Sequence, residues 1–145
     1  MQITAAPPTF NARLLGQTEK AANALLREIL AGPGLSEPQW VTLTLAVTGE
    51  GAATREELVD RVTGAARFAR ADVEACVDAL AAAGLLDVDA GPSVTERGQA
   101  TFDSVRAATA RLTERLWGDL DEADLAVAAR VLGTVLARAN AELAS

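Results

Sequence analysis

A chain of 145 residues with a formal net charge of −7, no histidine and a single cysteine fits one domain, or one small domain with helical arms that need a partner. The missing histidines and the lone Cys76 exclude His-based triads, His metal sites, an imidazole pH switch and an intramolecular disulfide. Half of the residues are apolar and 3% are aromatic, which favours helices burying small side chains, while the negative charge repels phosphate except within a Debye length of roughly 8–10 Å of a local basic patch.

No run approaches the ~20 apolar residues of a membrane span, and the start, MQITAAPPTF, lacks the basic and apolar regions of a signal peptide. A soluble, cytoplasmic protein without membrane contact is expected.

After an extended lead ending near Pro7 and Pro8, the pattern predicts a helix from Asn11 to Ala31. Leu14, Leu15, Thr18, Ala22, Leu25, Leu26 and Ile29 recur at helical spacing, and Gly32, Pro33 and Gly34 stop it. Ser36-Glu37-Pro38-Gln39 marks the next start, with a capping Ser, a Pro in the first turn and a Gln three residues on. That helix carries Trp40, Val41, Leu43, Thr44 and Val47 and ends at Gly49-Glu50-Gly51. A second capping box, Thr54-Arg55-Glu56-Glu57, opens a helix with Leu58, Val59 and Val62 inward, expected to fray near Gly64.

A short stretch with Arg67, Phe68 and Arg70 leads to a helix over Ala71 to Gly84 (ADVEACVDALAAAG). It is apolar through Val73, Val77, Leu80 and Ala81, shows Asp72, Glu74 and Asp78 elsewhere, and carries no positive charge. Cys76, on the apolar side, is expected to be an inert core thiol, and Gly84 a left-handed cap. Leu85-Leu86-Asp87-Val88 and Ser93-Val94-Thr95 read as two short strands around Asp89-Ala90-Gly91-Pro92. From Glu96 a long helix reaches about Gly118, with Phe102, Val105, Thr109, Leu112 and Leu116 on one face. Asp121 caps a last helix whose face is Leu125, Ala128, Leu132, Val135, Leu136, Ala139 and Leu143. The first and the last two helices would leave much apolar surface wet in a single copy, so a two-fold dimer is expected.

This order of elements resembles the MarR family (multiple antibiotic resistance regulators) over nearly the whole chain. Leu35 to Leu43 resembles the family's second-helix opening, and Thr54-Arg55-Glu56-Glu57-Leu58 the start of its helix-turn-helix. Val77-Asp78-Ala79-Leu80 with Gly84-Leu85-Leu86 resembles the end of the recognition helix and entry to the wing, and Val94-Thr95-Glu96-Arg97-Gly98 the wing exit. The resemblance implies a mainly α fold with a small β-hairpin wing. Residues 1–35 would form an N-terminal dimerisation helix, 36–98 the winged helix-turn-helix lobe and 99–145 the C-terminal dimerisation helices. It also implies a homodimeric repressor or activator that reads a palindromic operator, and a small-molecule pocket between lobe and arms.

The chain departs from the family pattern in three places. Glu74 and Ala75 follow Val73 where the family shows polar or basic residues, the turn before the recognition helix is longer, and the wing is short and lacks arginines at its tip. A helix meant for the major groove normally offers cationic or amide side chains to base edges. Arg55, Arg67, Arg70 and Arg97 are the expected DNA contacts, forming a phosphate rim; Asp72 and Glu74 also favour the dipole of their own helix. Trp40, Leu43 and Arg13 are the expected ligand contacts, with Trp40 read alternatively as a core aromatic that anchors its helix. The expected dimer interface comprises Phe10, Leu14, Leu116, Trp117, Leu125, Leu132, Val135 and Leu136.

Three function classes meet these residues. A ligand-responsive regulator fits the architecture. A dimer of the same build that has lost operator binding, and serves as a small-molecule or protein-interaction module, fits the acidic helix. An enzyme would depend on carboxylates that pair with no recognisable nucleophile, and neither a metal nor a cofactor is expected.

Overall fold

In the computed structural model, which describes residues 6–49, 54–89 and 91–145, most helices begin where a side chain satisfies free amides. Asn11 accepts the Leu14 N–H at 2.8 Å and opens α1 (Ala12–Ala31). Ser36 and Gln39 exchange reciprocal bonds of 2.9 and 3.3 Å at the head of α2 (Glu37–Thr48), the arrangement that the sequence predicts. Thr54 accepts the Glu57 N–H at 3.1 Å to start α3 (Arg55–Ala66). Part of the turn expected at Gly49-Glu50-Gly51 lies outside the described residues, as does Ala90.

Helix ends are set by backbone geometry. Gly34 and Gly84 have φ of 76° and 78°. At each the paired bonds of a Schellman motif close the preceding helix, Leu35 N–H to Leu30 C=O at 3.0 Å and Leu85 N–H to Leu80 C=O at 2.9 Å. Instead of fraying at Gly64, α3 continues to Ala66 and ends at Arg67, which adopts φ 57° and ψ 33°. The Arg67 N–H still bonds the Thr63 carbonyl at 3.2 Å, so the last turn is held. The following helix, α4 (Arg70–Ala82), starts at Ala69 without a side-chain cap.

The hairpin is short. β1 (Leu86–Asp87) pairs antiparallel with β2 (Ser93–Val94), Leu86 opposite Val94 and Asp87 opposite Ser93. Thr95 fastens its exit: the hydroxyl donates to the Gly84 carbonyl at 2.7 Å and accepts the Gly98 N–H at 3.0 Å. From there α5 (Glu96–Trp117) runs on. Gly98 is buried against the strand, where a Cβ would collide with the Leu85 carbonyl oxygen and meet Val94 Cγ1 at 2.9 Å. The Thr-x-x-Gly spacing thus has a steric cause.

Two compact units result, residues 1–109 and 110–145. The first is built on a core of Leu43, Leu58, Val59, Val62, Val73, Val77, Leu80, Leu85, Leu86 and Phe102, contributed by α2, α3, α4, the hairpin and α5. Cys76 is buried beside it. Within this unit α1 buries only Leu30, leaving Phe10, Leu14 and Leu15 exposed. The second unit holds the end of α5 and α6 (Glu122–Ala144), which Asp121 caps by accepting the Ala123 N–H at 2.8 Å. No residue of α6 is buried; Leu136 is 62% and Leu143 65% exposed. The chain is mainly α with a small hairpin, as its sequence predicts.

Candidate nucleic-acid interface and adjoining cavities

The apolar residues of α4 point into the core through Val73, Cys76, Val77 and Leu80, which turns Asp72, Glu74 and Asp78 outward. Two of these carboxylates have cationic partners. Arg55, at the first turn of α3, donates from Nη1 to Asp78 at 2.7 Å and from Nη2 to the Glu74 carbonyl at 3.2 Å. Arg70, at the first turn of α4, bonds Asp60 on α3 at 2.5 Å and approaches the Glu74 carboxylate at 3.4 Å. The Asp60 hydrogen bond is the chief influence on the Arg70 guanidinium; desolvation opposes it, and with the charges of Asp60, Glu74 and Glu56 it holds the group above its ordinary value. Arg70 therefore stays charged under all ordinary conditions.

The four arginines singled out from the sequence fall in different places. Arg55 and Arg70 converge on Glu74, one through its carbonyl and one through its carboxylate. Arg67 is exposed at the left-handed corner between α3 and α4. Arg97 lies at the other end of α4: a Cβ on Gly84 would stand 3.9 Å from its Nη1.

Arg97 lines two adjoining cavities in the first unit. One, of about 490 Å³, is bounded by Ile29 and Pro33 from the end of α1 and by Ala100, Thr101, Ser104 and Val105 of α5. The other, of about 350 Å³, lies against Gly34, Gln39, Ala83 and Leu85. Both volumes fall within the roughly 300–1,000 Å³ of small-molecule sites. Neither is lined by Trp40, Leu43 or Arg13. Trp40 is half-buried against the core and stacks on Phe102, with ring centroids 5.3 Å apart and planes at 21°. Leu43 is wholly buried in the core, and Arg13 is exposed near the start of α1. The cavity residues escaped the sequence reading because Gly32 and Pro33 signal only a helix stop, while Ala100, Thr101 and Ser104 carry no pattern of their own.

Of the residues expected at a dimer interface, Phe10, Leu14, Leu116, Trp117, Leu132 and Leu136 are exposed, whereas Leu125 and Val135 are partly buried. Among the described residues no helix is long and apolar enough to cross a membrane. No group of three or more carboxylate or thiol side chains among them is arranged to hold a metal ion.

Neither protein-family models nor curated proteins match the sequence. Solved structures match the fold. A MarR-family protein from Bacillus stearothermophilus is 18% identical, with a TM-score of 0.65 over 91% of this chain and 99% of that one. A MarR-family protein from Mycobacterium tuberculosis, solved in complex with DNA, is 17% identical, with a TM-score of 0.71 over 88% and 98%. BpsR of Bordetella bronchiseptica, whose DNA binding is regulated by 6-hydroxynicotinic acid, is 19% identical, with a TM-score of 0.67 over 89% and 99%. The chain has the MarR-like winged-helix fold.

Proposed function

We propose that this protein is a transcriptional regulator that acts as a homodimer on a palindromic operator and answers to a small-molecule effector. The observation that carries the proposal is the intact sequence of α3, corner, α4 and hairpin, with Arg67 and Arg70 exposed at the entry to α4. In this arrangement α4 enters the major groove, Arg67 meets phosphate from the corner, and Arg70 does so while still paired with Asp60. The short hairpin and outward carboxylates make for low affinity or unusual base contacts.

The operator is tested with a duplex enriched by the protein from a randomised library. The Arg67→Ala/Arg70→Ala variant is expected to lose binding, with a shallower dependence on salt in whatever binding remains, because each lost phosphate contact removes about one unit of slope. A variant that binds as well as wild type refutes the phosphate rim.

Residues 1–35 and 99–145 supply the proposed dimer contacts, since Leu14, Leu116, Leu132 and Leu136 present apolar surface that a second copy would cover. For the effector we assign the larger cavity, where one guanidinium, Arg97, faces an otherwise mostly apolar lining, a combination suited to an aromatic acid. Trp40 reports on this wall through its stack with Phe102, which adjoins Thr101. In a Trp117→Phe background, aromatic acids should change Trp40 emission saturably, and Arg97→Ala should abolish the response. An unsaturable response, or one that survives in Arg97→Ala, removes the assignment.

A second reading, a dimer of this build without operator binding, is favoured by the absence of positive charge on α4 beyond Arg70. Enrichment of no duplex by the wild-type protein at low salt would select it.

A further inference from the structure

Both α3 and α4 begin with an arginine, Arg55 and Arg70. A helix N-terminus already carries partial positive charge, so a cation there is disfavoured unless something offsets it. Here each first-turn guanidinium crosses to a carboxylate on the other helix, Arg55 to Asp78 and Arg70 to Asp60. The two ties run in opposite sense: the start of α3 is joined to the later half of α4, and the middle of α3 to the start of α4. Two separated points fix the relation of two rods, whereas one leaves a pivot.

The Arg55 tie differs from an ordinary surface ion pair in one respect. Its second bond, Nη2 to the Glu74 carbonyl at 3.2 Å, grips the main chain in the body of α4, so the guanidinium reads the position of the helix as well as a charge. Lysine, a point charge without the planar fork, cannot make both bonds in this geometry. Arg55 is also the more covered partner, its side chain 37% exposed against 69% for Asp78.

We infer that Arg55 is a positioning residue: with Asp78 and the Glu74 carbonyl it sets how α4 is presented, and it makes no phosphate contact of its own. This rests on the DNA-binding reading above. It also gives Asp78 a use. A carboxylate on the reading helix that would otherwise weaken binding holds the strut that orients it. Exposed ion pairs add little to global stability, so the effect belongs to operator affinity and not to melting.

The test is operator binding across a salt series by wild type, Arg55→Ala, Arg55→Lys, Asp78→Asn and the Arg55→Ala/Asp78→Asn double variant, on a duplex enriched by wild type from a randomised library. Each single variant is expected to weaken binding by about three- to fivefold, the most an exposed tie of this kind can contribute. The double variant should be no weaker than the worse single one, the salt slope should match wild type, and Arg55→Lys should behave as Arg55→Ala. Removing a negative charge from a DNA-facing helix would by simple repulsion strengthen binding, so a loss in Asp78→Asn is the outcome a merely electrostatic surface does not give. A slope reduced by about one unit in Arg55→Ala, or Asp78→Asn binding as tightly as wild type or more so, makes Arg55 a phosphate ligand and overturns the inference. Failure of wild type to enrich any duplex is a separate result: it removes the DNA-binding reading, and the positioning role with it.

Discussion

Burial, and to a smaller extent the charge of Asp72, push the Cys76 thiol above its ordinary value of 9.0. As pH rises, the unfolded chain gives up this proton first. Between the ordinary and the raised value the folded state therefore binds more protons, and stability falls as pH rises through that window. Wild type should lose melting temperature more steeply than Cys76→Ala as pH rises above 9.0; parallel curves would show that the thiol does not contribute. The burial of Cys76 was legible in the sequence because it follows from the spacing of Val73, Val77 and Leu80 on one helix. The partners of Asp78 and Glu74 were not. Their acidity is plain in the sequence, but Arg55 lies 23 positions from Asp78, and only the packing of α3 against α4 brings the two together. What read as a conflict between architecture and charge is, at this scale, a set of carboxylates that bind the chain's own arginines.

Elements obey local rules, and their limits were accordingly the most legible part of the molecule. Ser36, Thr54 and Asp121 cap the helices that the sequence assigned to them, since a cap needs only residues within one turn. Glycines separate in the same way. Gly84 holds φ 78° at the end of α4, where a side chain costs about 1–2 kcal/mol. Gly64 lies within α3 with nothing within 4 Å of an added Cβ, and there alanine should gain about 0.5–1 kcal/mol. Gly84→Ala is thus expected to lower, and Gly64→Ala to raise, the midpoint of urea denaturation; the same sign for both would contradict the assigned backbone roles. The expected fraying at Gly64 did not occur because the chain turns three residues later, at Arg67. An arginine in the left-handed region carries no signature by which the sequence could announce it.

For the whole molecule the sequence carries the fold class and the order of elements, since amphipathic periods and stop signals suffice for both. It did not give the cavities around Arg97, which arise where the α1 turn, the end of α4 and the start of α5 happen to leave space. The proposed homodimer is a prediction at this scale. Light scattering at micromolar concentration should return twice the chain mass of 15.0 kDa, and Leu132→Arg with Leu136→Arg should return it once; a wild-type monomer would end the proposal. The bare length of α6 carries a further consequence. Isolated helices owe little of their order to intrinsic propensity and most to an apolar face that finds cover, and no residue of this one is fully buried within its own chain. Thermal unfolding and dissociation should then be a single event governed by mass action. A tenfold dilution would shift the transition to lower temperature, and cells holding few copies would contain a less durable protein than those holding many.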